Sequence, residues 1–241
     1  MLAKQISSLQ HPIVKQFVKL RDSRKIRYAE KRIPIMGIKQ IEEAPSIDIL
    51  FTLPTFETHI QATEKYQVTE EILKKMTGQP SPEPVCALVK MPDLADLSDR
   101  KRLLVLDQVT DPGNVGTLFR TALALGFDGA FLIEGSADPF NEKALRSAMG
   151  ATFRLPLELG SEKRLIDLAK SFTPLVADKE GSPLKDLAPP QKPMLILGNE
   201  ASGVSPSLKN RYPSISIPIQ GVESLNVAAA GAIMMYHLRH E

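Results

Sequence analysis

The hydrophobic pattern changes period repeatedly along the chain, and its clearest stretch runs from Leu103 to Ile133. Leu103-Leu104-Val105-Leu106 is apolar throughout, which suits a strand buried on both faces, as in a parallel sheet. A turn-rich run, Asp107–Gly116, follows. Leu118, Thr121, Ala122 and Leu125 then recur at helical spacing until Gly126, and Ala130-Phe131-Leu132-Ile133 reads as a second short strand. Strand, loop, helix and strand make a βαβ unit. Its loop leaves the carboxyl end of the first strand, where α/β folds place their ligands. Arg120 stands off the apolar stripe of the helix, near enough to the loop to reach back over that crevice.

The pattern extends to both sides. Before it, a helix starts at Ser8 or at Gln10-His11-Pro12 with Ile13, Phe17 and Leu20 as its apolar stripe, and strands are expected at 33–37, 47–51 and 85–89. Thr69 is an N-cap, with Glu70 and Glu71 beside it, for a helix running through Lys75 to Gly78. After it come a helix at 141–149, a strand at 153–157, a helix at 162–171, and strands at 174–177 and 193–197. A short helix at 206–209, a strand at 214–217 and a buried helix rich in alanine and methionine at 227–238 close the chain. Such alternation predicts an α/β protein with a mostly parallel sheet covered on both faces. The polar, proline-bearing stretch MPDLADLSDR marks a boundary. We expect a small α/β unit over 1–92, a linker over 93–101 and a larger α/β domain over 102–241.

Composition narrows the function classes. The 241 residues are 43% hydrophobic and 24% charged, ordinary values for a globular protein, and no apolar run approaches the length of a membrane span. The N-terminus lacks the apolar core of a signal peptide, so the cytoplasm is the expected compartment. A single cysteine, Cys86, excludes an intrachain disulfide, and His11, His59, His237 and His240 show no ligand spacing beyond the last pair. No metal is expected. A net charge of +2 says little by itself, but Lys15, Lys19, Arg21, Arg24, Lys25, Arg27 and Arg32, with Lys4 and Lys31, face only Asp22 and Glu30 in their segment. That is the footprint of phosphate binding, and equally of a solvated helix face. Lys143 and Arg146 fall on the polar side of the 141–149 helix.

Three polar, glycine-bearing loops each follow an apolar strand: 111–116, 198–203 (GNEASG) and 220–226 (QGVESLN). Loops after parallel strands emerge at one sheet edge and can converge on one crevice. The Walker loop, the G-x-G-x-x-G fingerprint and the G-x-S-x-G elbow are all missing. A nucleotide hydrolase or an α/β-hydrolase is therefore disfavoured.

In combination and in order, DPGNVGTLFRTALALG, LILGNEASGVS and ISIPIQGVESLNVAAAGAI resemble the SpoU (TrmH) family of RNA ribose 2′-O-methyltransferases, in the SPOUT superfamily. RSAMGATFRLPL and the terminal helix agree with this. The resemblance covers roughly residues 101–240, and ISSLQHPIVKQFVKL and TEEILKKMTG extend it to the family's substrate-binding domain, an α/β fold related to ribosomal proteins. It implies a deep trefoil knot, a homodimer and S-adenosylmethionine as methyl donor. Ribosomal RNA, most simply 23S, is the implied substrate, with transfer RNA as the alternative and a non-catalytic ribosome assembly factor as the contrasting reading.

Residue roles follow by the same resemblance. Arg120 is placed at the substrate. Because arginine stays protonated, it suits gripping a phosphate and lowering the hydroxyl pKa better than acting as a base. Asn114, Glu200, Ser224 and Asn226 complete the implied catalytic set, although Asn114 can simply serve its turn, Glu200 can be a surface acid and Asn226 is also a good N-cap. Leu197, Gly198, Asn199, Gly203, Ile217, Leu225 and Asn226 match the cofactor-binding positions, and the basic set with Arg146 matches RNA binding. Three positions depart from the family pattern. Ala201 stands where a second glycine is common, the 217–225 loop is one residue short of some members, and Met36 replaces a frequent glutamate. Ala201 is tolerable if its φ is negative.

Overall fold

A computed structural model describes residues 3–239, which separate into two compact units. The first comprises the chain up to Asp93 together with Phe140–Phe153, and the second Leu94–Pro139 with the chain from Arg154 onward. Among the described residues, no helix is long and apolar enough to cross a membrane.

In the first unit, β1 (Lys4–Ile6), α1 (Pro12–Asp22), α2 (Arg24–Glu30), β2 (Arg32–Met36), α3 (Ile38–Glu42), β3 (Ile49–Thr52), β4 (Glu64–Val68), α4 (Glu70–Thr77) and β5 (Val85–Lys90) follow in order. The sheet order is β1-β4-β3-β5-β2, parallel across β1, β4 and β3 and antiparallel across β3, β5 and β2. His11 starts α1 by accepting the Ile13 amide at 3.3 Å, and Pro12 needs no donor partner there. Val14, Phe17 and Leu20 of α1 and Ile72, Leu73 and Met76 of α4 are buried against Phe51, Cys86 and Leu88 of the sheet. The Phe17 ring meets Phe51 edge-on, with centroids 5.8 Å apart. Burial pushes the Cys86 thiol pKa well up, which leaves it inert. Neither β1, with one buried residue of three, nor the short α3 has a period long enough to be read from sequence.

The second unit opens with β6 (Leu103–Asp107), α5 (Pro112–Ala124) and β7 (Gly129–Ile133). Two helices of the intervening chain follow, α6 (Glu142–Ala148) and α7 (Ala151–Arg154). The expected uninterrupted domain from 102 onward thus gives up 140–153 to the first unit, where Phe140 packs edge-on to Tyr28 and α6 packs on β2. The expected strand at 153–157 is instead α7, then β8 (Leu157–Gly160). Met149 ends α6 in a left-handed conformation, and the Phe153 amide bonds back to the Gly150 carbonyl at 3.1 Å, which closes a helical turn despite the strand propensity of Thr-Phe.

The chain continues through α8 (Glu162–Ala169), β9 (Thr173–Pro183), β10 (Pro193–Gly198), α9 (Pro206–Lys209), β11 (Ser214–Ser216) and α10 (Val227–Leu238). All six strands are parallel, in the order β11-β9-β10-β6-β7-β8. From β6 the order runs outward to β7 and β8, whereas β10, its other neighbour, leads towards β9 and β11. The gap beyond β6 and β10 is therefore the topological switch point of the sheet. α10 packs on α5 and β10 across Gly231, where a Cβ would lie 2.5 Å from Leu118 Cδ2 and 2.7 Å from Leu197 Cδ1. A glycine costs a helix interior about 1 kcal/mol against alanine, and this close packing is its physical reason.

Candidate functional site

At the switch point the three glycine-bearing loops meet. Asp111 caps α5 by accepting the Asn114 amide at 3.0 Å, with Pro112 in the first turn, so the helix opens beside the end of β6. Glu200, in the loop after β10, lies against this corner. Its carboxylate accepts the Thr110 amide and hydroxyl at 3.2 Å each, the Asp111 amide at 3.2 Å and the Asn114 side-chain amide at 2.9 Å. Asn114 Oδ1 in turn accepts from Asn226 Nδ2 at 3.1 Å, while Asn226 Oδ1 caps α10 through the Ala228 and Ala229 amides at 2.9 and 3.3 Å. Asn226 is thus both an N-cap and a member of the cluster. One hydrogen-bonded chain, Glu200–Asn114–Asn226, ties together residues from all three loops.

Partial burial works to raise the pKa of the Glu200 carboxyl, but the Asn114 side chain and the Thr110 and Asp111 amides outweigh it and hold the pKa below the ordinary glutamate value. Glu200 is therefore an anchored carboxylate, not a proton carrier near neutrality. A group with a lowered folded pKa contributes stability that is present above its unfolded pKa and lost as pH falls through the folded one. Thermal midpoints of the wild-type protein and Glu200→Gln should accordingly differ by a constant amount at neutral pH. The gap should begin to narrow as pH falls past the unfolded glutamate value, about 4.3, and be lost as pH falls on through the lower folded one. A difference independent of pH across that range would count against the anchoring role.

Arg120 is exposed on α5, and among the described residues its guanidinium has no hydrogen-bond or ion-pair partner. Ser224 is likewise exposed and stands outside the hydrogen-bonded cluster. Gly198 ends β10 with the Gly203–Val204 backbone so close that a Cβ would overlap it. Asn199 and Gly203 bond to each other through both amides, at 3.0 and 2.9 Å. Ala201 is not among the residues with positive φ, so its methyl group is accommodated. Leu197 is buried with its side chain against Gly231, which supports the loop from beneath.

The loop beyond β11 has a different character. Ile217 and Ile219 are half-buried, Leu225 is exposed, and among the described residues the backbone N–H groups of Gln220–Leu225 find no acceptor within the chain. Apolar side chains beside unspent backbone donors suit an adenine ring held by main-chain bonds, so the residues present fit a nucleoside-bearing methyl donor.

Sequence reasoning missed part of this corner. Asp107 is only 2% exposed and accepts the Ser205 amide at 2.7 Å, and Gln108 is left-handed at φ 56°. The Thr110 and Asp111 amides that bind Glu200 were also missed, because backbone donors leave no trace in residue type. The acid ending an apolar run, LLVLD, was the one available signal.

The basic set divides. Lys15 and Lys19 of α1 and Lys25 of α2 are exposed, and Arg24 lies over the Tyr28 ring at 5.3 Å. Arg32 approaches Asp48 at 3.6 Å, and Arg146 pairs with Glu142 at 3.1 Å while staying largely exposed. Arg27 is corrected: it is 4% exposed, and its guanidinium donates to the Leu20 and Arg21 carbonyls at 2.7 and 2.8 Å, closing the end of α1. Arg21 is largely spent in the same way, on the Lys75 and Met76 carbonyls at the end of α4 and on Asp22.

Comparison with solved structures gives the same architecture. An AdoMet-bound rRNA methyltransferase from Sinorhizobium meliloti superposes with a TM-score of 0.86 at 26% identity, over 98% of this chain and 97% of that one. Fold and site together define an α/β methyltransferase of the SPOUT type. The SpoU rRNA methylase family matches residues 101–236, and the chain belongs to that family. The 23S rRNA (guanosine(2553)-2′-O)-methyltransferase RlmP of Bacillus subtilis is 36% identical over 98% of this chain and 99% of its own length. The 23S rRNA (uridine(2479)-2′-O)-methyltransferase of Streptomyces viridochromogenes is 31% identical over 72% of this chain and 66% of its own.

Proposed function

We propose that this chain transfers the methyl group of S-adenosylmethionine to a ribose 2′-hydroxyl of 23S ribosomal RNA, acting in the cytoplasm as a homodimer. The observation that carries the reading is the Glu200–Asn114–Asn226 chain at the switch point, whose Asn114 lies on the helix that also bears the exposed Arg120. The full-length likeness to an enzyme named for this reaction supports it.

Bound S-adenosylmethionine supplies an electrophilic methyl group on a sulfonium. The chain's own residues must then align one hydroxyl and favour its ionised form. Arg120 grips the phosphate beside the target ribose and stabilises negative charge developing on the 2′-oxygen, while that phosphate or a neighbouring group takes the proton. Asn114, held on both sides, and Ser224 orient the ribose. Gly198 and Gly203 shape the cofactor loop from their backbone, and Ile217, Leu225 and Asn226 line it. Lys15, Lys19, Arg24, Lys25, Arg32 and Arg146 hold structured RNA through its phosphates. The reading includes the trefoil knot, in keeping with the tight passage of Gly181 against the Ser214–Ile215 backbone, which leaves no room for a Cβ.

The test combines radiolabelled S-adenosylmethionine with RNA from cells lacking this gene, followed by sizing and digestion to nucleosides. The expected product is one 2′-O-methylated nucleoside from large-subunit RNA. Label in transfer RNA would move the substrate, label on a base would overturn the ribose assignment, and cofactor-independent RNA binding without transfer would favour an assembly factor.

A further inference from the structure

We infer that Asn199 is a positioning residue: its side-chain amide seats the loop after β10 on the exit of β6 and so fixes the carboxylate of neighbouring Glu200. The inference rests on the methyltransferase reading and departs from it at one residue, since the family resemblance assigns Asn199 to the cofactor.

The polar atoms of Asn199 are all engaged within the chain. Its backbone N–H and carbonyl are both taken by Gly203. Its Oδ1 accepts the Ala201 amide at 2.9 Å and the Ser202 amide at 3.1 Å, which folds the loop back on itself. Its Nδ2 donates to the Gln108 carbonyl at 2.9 Å, on the other loop, with Thr110 Oγ1 at 3.5 Å. The acceptor sits on strained backbone: Gln108 is left-handed, a conformation that a residue with a side chain rarely adopts unless its surroundings impose it.

The bond is the middle one of three stations that zip the two loops together. Ser205 donates its amide to Asp107, Asn199 donates to Gln108, and Glu200 accepts from Thr110, Asp111 and Asn114. Asn199 and Glu200 are consecutive, so the Asn199 amide sets where the Glu200 carboxylate arrives. Through Asn114, it also sets where the ribose-facing amide stands. Losing it leaves the Gln108 carbonyl without its partner and the loop held only by the Ser205 and Glu200 stations on either side.

Asn199→Asp isolates the effect. It preserves size and the oxygen that accepts from Ala201 and Ser202, but it turns the donor facing the Gln108 carbonyl into an acceptor. The methyl-transfer kcat on RNA from cells lacking this gene should fall about ten- to a hundredfold, while dissociation constants for S-adenosylmethionine and RNA stay within about twofold. Should Asn199→Asp fail to fold, Asn199→Ser keeps a turn-forming oxygen, adds no charge and cannot span to Gln108. It should lose about three- to tenfold in kcat with binding retained. An unchanged kcat overturns the inference. A loss confined to S-adenosylmethionine affinity overturns it too, making Asn199 a cofactor ligand. No methyl transfer by the wild-type protein, under conditions where it binds the cofactor, overturns the reading beneath it as well.

Discussion

Arg120→Ala should lower single-turnover methyl transfer by roughly 10²–10⁴-fold, the range expected when a group that stabilises developing charge or assists proton loss is removed. The fold should not notice. The side chain is exposed and has no partner among the described residues, and alanine is the better helix former, so the thermal midpoint should stay or rise slightly. Arg120→Lys should recover little, because a point-charge ammonium does not reproduce the planar, two-pronged grip of guanidinium on phosphate. Rapid-quench transfer, cofactor binding by calorimetry and a thermal melt on one preparation separate the possibilities. Wild-type transfer by Arg120→Ala would remove Arg120 from the reaction. A matching loss of stability would mean that the side chain holds the loop in a way its exposure does not suggest.

Gly198→Ala is the second large effect, and it works through the backbone. A methyl group at the end of β10 has to enter space held by the Gly203 carbonyl and the Val204 amide, and peptide groups cannot rotate aside as a flexible side chain would. Overpacking of this kind costs about 1–3 kcal/mol and more where nothing can yield. The loop is pinned at both feet, by the Asn199–Gly203 pair and the Ser205–Asp107 bond, so the upper end is expected. The two-state denaturation midpoint should drop accordingly. Cofactor affinity should fall with it, because the displaced backbone is that of Gly203, which with Gly198 is proposed to shape the cofactor loop. Wild-type stability and affinity together would mean that the loop relaxes freely and that the tight approach has no functional weight.

The βαβ unit around Arg120 was legible because each local signal agreed: an apolar run, an Asp-Pro start to the helix and Gly126 at its end, and the structure places α5 within these limits. The Thr69 cap and Gly78 stop of α4 were legible for the same reason. β9 was read as four residues and spans eleven, because Asp178–Gly181 is a polar excursion whose pairing to β11 shifts register and is fixed only by tertiary contact. Arg27 was misjudged because charge in a sequence does not reveal whether a guanidinium meets solvent or the end of a helix. Within the site, residue identities were legible and their roles in the network were not. Asn199 looked like a ligand residue, yet its polar atoms are spent on two loops that lie about ninety residues apart in sequence.

The return of Phe140–Phe153 to the first unit has a consequence in time. During synthesis the sheet β1–β5 is complete by Lys90, but α6, which covers β2, is some sixty residues further along. At about 5–20 residues per second that is a delay of roughly 3–12 s, during which the face of β2 awaiting Ala144, Leu145 and Ala148 stays uncovered and β6, α5 and β7 are already emerging. The chain therefore matures as interleaved units and not one domain after the other, and a fragment cut at Asp93 is a unit whose last piece was never made.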